Sequence, residues 1–159
     1  MIWIQRTLST HATQAGSVAS LPFPRLPYYY SEATLNAGKF VVVPRVPVPP
    51  LSALGLHQFA EFEHGDYDGI TYLDTYFVKR GREADEVLHF HELIHVVQWR
   101  LLGPECFLAA YANGLEKYGY RDSPLEVMAY NAADVFTKSN QPFDAEKHVR
   151  EKLRALQLL

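Results

Sequence analysis

A single cysteine, Cys106, stands among the 159 residues. That excludes a disulfide scaffold and any zinc site built from cysteine pairs; Cys106 itself is expected to be a small buried residue. Basic charge is scarce too: 15 Lys and Arg face 18 Asp and Glu, for a formal net charge of −3. The basic residues form no stripe, so the cationic face of a nucleic-acid-binding domain is missing. No apolar run approaches the roughly 20 residues of a membrane-crossing helix, and no membrane partner is expected. Near the N-terminus Gln5, Arg6 and Ser9 interrupt the apolar residues before a signal-peptide core can form. The expected location is therefore cytoplasmic, with export that reads no cleavable signal left open.

What is present is enough for one core. Hydrophobic residues make up 48% of the chain and aromatics 13%, at the length of a single domain over 1–159. Seven of the ten prolines lie in the first 50 residues, which forbids long helices there. LPFPRLPYYY (21–30) reads as extended chain, with Tyr28, Tyr29 and Tyr30 laid over something apolar. KFVVV (39–43) reads as a strand confined to a sheet edge by the prolines after it. In the next stretch, 51–81, Ser52 to Glu63 reads as a short helix, and HGDYDG as a turn. Ile70 to Val78 has strand composition, and alternation puts Ile70, Tyr72, Asp74, Tyr76 and Val78 on one face.

Residues 82–159 change character. Arg82 to Leu102 carries a long helical pattern stopped by Gly103-Pro104, followed by a second from Pro104 to Tyr118. Ser123-Pro124 starts a third helix, and a charged amphipathic fourth runs from about Pro142 to Gln157. Strands first and helices after describe an α+β fold.

Chemistry enters with His91-Glu92-Leu93-Ile94-His95, an H-E-x-x-H on the first long helix. Residues i and i+4 share a helix face, so both imidazoles reach one ion, and Glu92 flanks it. Zinc accepts such nitrogens and, in catalytic sites, leaves one position to water that a carboxylate can deprotonate. Composition alone yields this pattern in roughly 2% of such sequences, and two histidines and a glutamate on a core helix are costly without a charge partner. His89, two residues before His91, points elsewhere and reads as a surface or supporting histidine. Trp99 reads as closing the core.

Two histidines need a third protein ligand. Glu105, Cys106, Glu116, Asp122, Glu126, Asp134 and His148 are the candidates downstream. Glu105 and Cys106 follow the helix break too closely to face the motif. Glu126 opens the third helix after the chain has room to return. A competing role exists, because Ser123-x-x-Glu126 spells a capping box. Tyr130, one turn after Glu126, is the candidate hydrogen-bond donor to a developing oxyanion, with Tyr118 and Tyr120 as alternatives.

DEVLHFHELIHVVQW (85–99) resembles the active-site helix of zincin metallopeptidases, in particular small bacterial proteins with an HELxHVVQ-type signature. SPLEVMAY (123–130) resembles the glutamate-bearing helix of the gluzincin branch. The resemblance covers about the last 90 residues and implies His91, His95 and Glu126 as zinc ligands with Glu92 as general base. It also implies that a peptide or protein substrate binds along the edge strand Ile70–Val78. The pattern departs one turn after the ligand, where Tyr130 stands in place of an aspartate. The expected activity is zinc-dependent peptide-bond hydrolysis. The alternatives are a metal-binding interaction domain without catalysis, or an amidase- or deformylase-like enzyme for a small amide.

Overall fold

In the computed structural model, which describes residues 1–159, four strands run in the order β1-β2-β4-β3. They are β1 (Gly16–Ser17), β2 (Lys39–Val43), β3 (Gly69–Tyr72) and β4 (Thr75–Lys79). With six α-helices around this mixed sheet, the fold is α+β. The β-branched run 39–43 is a strand as expected, but it lies inside the sheet. It pairs in parallel with β4 along its whole length, while β1 covers it only at Lys39 and Phe40. Pro44 therefore limits the length of β2, not its place.

The stretch 70–78 is a hairpin, not one strand. β3 and β4 pair antiparallel from Gly69↔Val78 to Tyr72↔Thr75, with Leu73 and Asp74 as the turn. Leu73 sits at φ 59, a left-handed conformation that leucine rarely adopts. The Lys39 amide donates to the Asp74 carbonyl at 2.9 Å and pins the turn to β2. This turn resets the alternation, so Thr71 shares a face with Tyr76, and Ile70 with Phe77. Tyr76, Phe77 and Val78 are all 0% exposed. A strand buried on both faces reads as one apolar run, which hides a turn that lacks the usual glycine or asparagine.

The two faces of the sheet are covered differently. Helix α1 (Ile2–His11) lies on one, with Trp3 edge-on to Tyr72 at 5.5 Å and His11 edge-on to Phe77 at 5.1 Å. No side chain caps α1, and only Ile4 is fully buried, so packing rather than local propensity makes it a helix. Between prolines, 21–30 folds into turns rather than extended chain, with a single 3-10 turn at Leu26–Tyr28. Tyr29 and Tyr30 do cover apolar surface, and the Tyr30 hydroxyl donates to the Phe90 carbonyl at 2.8 Å, whereas Tyr28 is exposed. Helix α2 (Glu32–Ala37) follows, capped by Ser31. The expected helix over 52–63 is two 3-10 turns and a short α3 (Ala60–Glu63), interrupted at Gly55, with Phe59 buried and Leu54 exposed.

Helix α4 (Glu86–Tyr118) covers the other face. It starts at the Asp85 cap, whose carboxylate accepts from the Val87 and Leu88 amides at 3.1 Å. It breaks at Gly103 (φ 73), where the following proline cannot continue the helix, into segments 86–102 and 104–118. Every residue from His89 to Trp99 is buried, so this segment is surrounded on all sides, and its polar groups must find partners within the fold. Helix α5 (Pro124–Lys138) starts at Ser123 as expected and packs along α4, and α6 (Ala145–Ala155) buries Ala145, Val149 and Leu153 at helical spacing. Cys106 is exposed on the far segment of α4, contrary to expectation. No helix is long and apolar enough to cross a membrane.

Candidate metal centre

His91 and His95 lie one turn apart on α4, and their Nε2 atoms converge to 3.1 Å. From α5, Glu126 brings Oε2 to 3.3 Å from His91 Nε2 and Oε1 to 3.4 Å from His95 Nε2. All three residues are buried. Ligands bound to one zinc at about 2.0–2.1 Å in a tetrahedron stand roughly 3.3–3.4 Å apart. The observed separations match that spacing, although each imidazole faces a different carboxylate oxygen. With one atom taken from each residue, all three still lie within 4.8 Å of one another.

The capping-box role of Glu126 is not taken up. Ser123 makes no side-chain cap hydrogen bond, and its hydroxyl has no partner. Glu126 Oε2 is likewise buried without a hydrogen bond. Such an oxygen is costly unless a cation or donor meets it. Burial opposes the charge on Glu126, yet His95 and His91 hold its carboxyl well below the usual range. Burial opposes the charge on His95 too, but Glu126 outweighs it and raises His95 to about 9. Two nitrogens and a carboxylate turned toward one another are a donor set that fits a divalent ion such as zinc.

Three residues that the sequence reading passed over hold this set in place. His95 Nδ1 donates to Gln98 Oε1 at 2.8 Å, so in the neutral imidazole that a metal requires, Nε2 would be the lone-pair nitrogen. The Tyr111 hydroxyl donates to Glu126 Oε1 at 2.6 Å. Thr71 Oγ1 donates to Glu92 Oε2, also at 2.6 Å. Gln98 was within reach of sequence reasoning, because it follows His95 by three residues on the same helix face. Tyr111 carries no motif that sets it apart within the helical stretch Pro104–Tyr118, and strict alternation over 70–78 separates Thr71 from Tyr76, whose face it shares through the turn.

Glu92 is buried beside the histidines. Burial raises its carboxyl above the usual glutamate range, against the pull of His91, His95 and the Thr71 hydroxyl. Its Cδ would stand only 2.8 Å from a Cβ at Gly69, and Oε1 closer still, so the Glu92 carboxyl group occupies space that only a glycine leaves. Glu92 and His91 form one wall of a cavity of about 830 Å³, whose rim carries Glu61, Asp66, Asp68, Arg82 and Arg121. Tyr130 lines the same cavity, with its ring 4.6 Å from His91 and the Arg121 guanidinium 5.2 Å from its own ring.

The remaining candidates stand apart. His89 is fully buried, not on the surface, with Tyr76 donating to Nδ1 at 2.7 Å and Nε2 donating to the Glu83 carbonyl at 2.9 Å. Glu105, Glu116, Asp122 and Asp134 are exposed, and Asp134 pairs with Lys138. His148 packs edge-on to Phe143. Of the expected edge strand, only β3 lies at the margin of the sheet. Its Thr71 carbonyl already accepts from Trp99 Nε1 at 3.1 Å. No protein-family model, curated protein or solved structure matches the chain.

Proposed function

We propose that this chain is a zinc-dependent hydrolase of amide bonds, of the zincin kind its motif helix resembles. His91, His95 and Glu126 would hold the metal, and Glu92 would act as general base. The observation that carries the reading is the convergence of three buried ligand atoms next to Glu92, with His91 and Glu92 at the wall of an 830 Å³ cavity. A zinc ion there would lower the pKa of a water towards about 7 and polarise a carbonyl.

The chain's own residues supply the rest. Thr71 donates to Glu92 Oε2, which leaves Oε1 to take the proton of an attacking water and pass it to the leaving amine. Gln98 orients His95, and Tyr111 orients Glu126. Tyr130 lines the cavity against His91, where its hydroxyl would donate to the substrate oxygen as negative charge develops. A metal-binding role without catalysis would leave Glu92 and the cavity beside it without a task.

The substrate of this reading is a peptide, laid along β3. One observation favours the second reading, a compact small amide: the Thr71 carbonyl is engaged by Trp99 and is not free to pair with an added strand. Metal analysis and cleavage of a peptide library, run on the wild type beside Glu92→Gln, test the proposal. The variant is expected to retain zinc and lose turnover. Undiminished turnover would overturn the role of Glu92, and a wild type that binds no zinc would end the metal reading. Cleavage of acyl amides with no cleavage of any library peptide would select the second substrate.

A further inference from the structure

A second cavity adjoins the first along Phe59, Phe62, Tyr67, Gly69 and Glu92, and its character is different. Its volume is about 330 Å³, within the range of small-ligand sites. Trp3 and Ile4 of α1, Leu51, Phe59, and Phe107 and Leu108 of α4 supply much of its wall. The only carboxylate and imidazole groups that reach it are Glu92, His95 and Glu126, which are the base and two of the candidate ligands. Met1, Leu54 and Leu56 also line it, and all three are among the chain's exposed large apolar residues. The cavity therefore has an apolar rim, apolar walls and a reactive end.

We propose that this cavity binds an apolar group of the substrate, an aliphatic or aromatic chain attached beside the scissile amide. The proposal rests on the hydrolase reading above and names its substrate class. Glu92 borders both cavities, so a substrate whose amide lies at Glu92 has one side in each. The apolar side enters the 330 Å³ cavity, and the polar side faces the rim that carries Arg82 and Arg121. Water leaves apolar wall and apolar chain together, so affinity grows with each buried methylene by about fourfold. α1 has a task in this arrangement, because Trp3 and Ile4 close the wall that the sheet and α4 leave open.

Two measurements separate this proposal from the metal reading. The first uses the uncharged dye N-phenyl-1-naphthylamine on metal-free protein. Wild type is expected to bind it at one site, and Ala112→Trp, which projects an indole into the cavity from its wall, is expected to lose that binding. No binding by wild type, or equal binding by a folded Ala112→Trp, overturns the proposal and leaves the metal reading intact. The second uses alkyl hydroxamates, from acetyl to octanoyl, on zinc-loaded wild type. Affinity rising about fourfold per methylene supports the proposal, and affinity independent of chain length overturns it. Failure of every hydroxamate on a chain that holds no zinc counts against the metal reading alone, and the dye then decides the cavity. Should Ala112→Trp fail to fold, Ala112→Phe replaces it, and the wild-type chain-length series stands without either variant.

Discussion

Gln98 holds His95 in a single orientation: its Oε1 accepts from His95 Nδ1 at 2.8 Å, and both residues are buried. The same amide donates from Nε2 to the Leu125 carbonyl at 3.0 Å, one residue before Glu126. One side chain thus aims a candidate ligand on α4 and ties it to the helix that carries the next. Replacing Gln98 with Leu is expected to lower zinc affinity by about 10- to 100-fold, the usual cost of losing such an orienting partner. It also strands the buried His95 N–H, at about 1–3 kcal/mol of stability. Competition with a chelating dye measures the first, and urea unfolding the second. Wild-type zinc affinity in a stable variant would remove Gln98 from the centre.

Gly69→Ala puts a methyl group where Glu92 now lies. The carboxylate must move, while His91, His95 and Glu126 are untouched. A displacement of about 1 Å in a catalytic group can cost on the order of 10²-fold in rate. The expected outcome is full zinc content with kcat reduced at least tenfold. A variant with unchanged kcat would mean that Glu92 does not act from the position seen here.

Zinc should raise the melting temperature. A ligand present at 100 times its Kd adds about 2.7 kcal/mol of stability, which for a domain of this size is roughly 5–11 °C. Chelation is expected to reverse that gain. Glu126→Ala should show a smaller rise at equal zinc, because two histidines remain. Scanning fluorimetry with and without chelator reads both, and an equal rise in the variant would exclude Glu126 as a ligand.

Acid should weaken one tie outside the centre. Glu146 on α6 accepts from the Ser31 amide at 3.1 Å, from Ser31 Oγ at 2.7 Å and from Thr34 Oγ1. Burial opposes its charge, but the Thr34 and Ser31 hydrogen bonds outweigh it and lower its carboxyl below the ordinary 4.5. As pH falls, the unfolded chain takes up this proton before the folded one does. The contribution is therefore complete above about pH 4.5 and lost as pH falls through the depressed native value. Urea midpoints between pH 6 and 3 should fall less steeply in Glu146→Gln than in wild type; parallel curves would refute the assignment.

Much of the centre was legible because it rests on local spacing. His91, Glu92 and His95 are fixed relative to one another by a single turn of helix, and Gly103-Pro104 marked the end of that segment. Glu126 was legible by elimination among carboxylates far enough downstream to return. The supporting contacts were not, because they depend on how elements meet. Thr71 reaches Glu92 only through the Leu73-Asp74 turn, which carries no turn signature. Tyr111 faces Glu126 only because the break at Gly103 redirects the rest of α4. Helix α1 escaped notice because neither caps nor a strong apolar stripe mark it; Tyr72 and Phe77 beneath it do.

The break at Gly103 has a further consequence for how the protein comes together. A single stretch of backbone, 91–111, carries two of the three candidate ligands, the proposed base and the hydroxyl that donates to the third candidate. Glu126 alone arrives from a later helix. The pair of imidazoles can form as soon as α4 does, but the three-ligand set exists only once α5 has docked. Affinity for an ion held by this set would therefore contain the free energy of that docking, and zinc uptake during refolding would time the moment at which the two helices close.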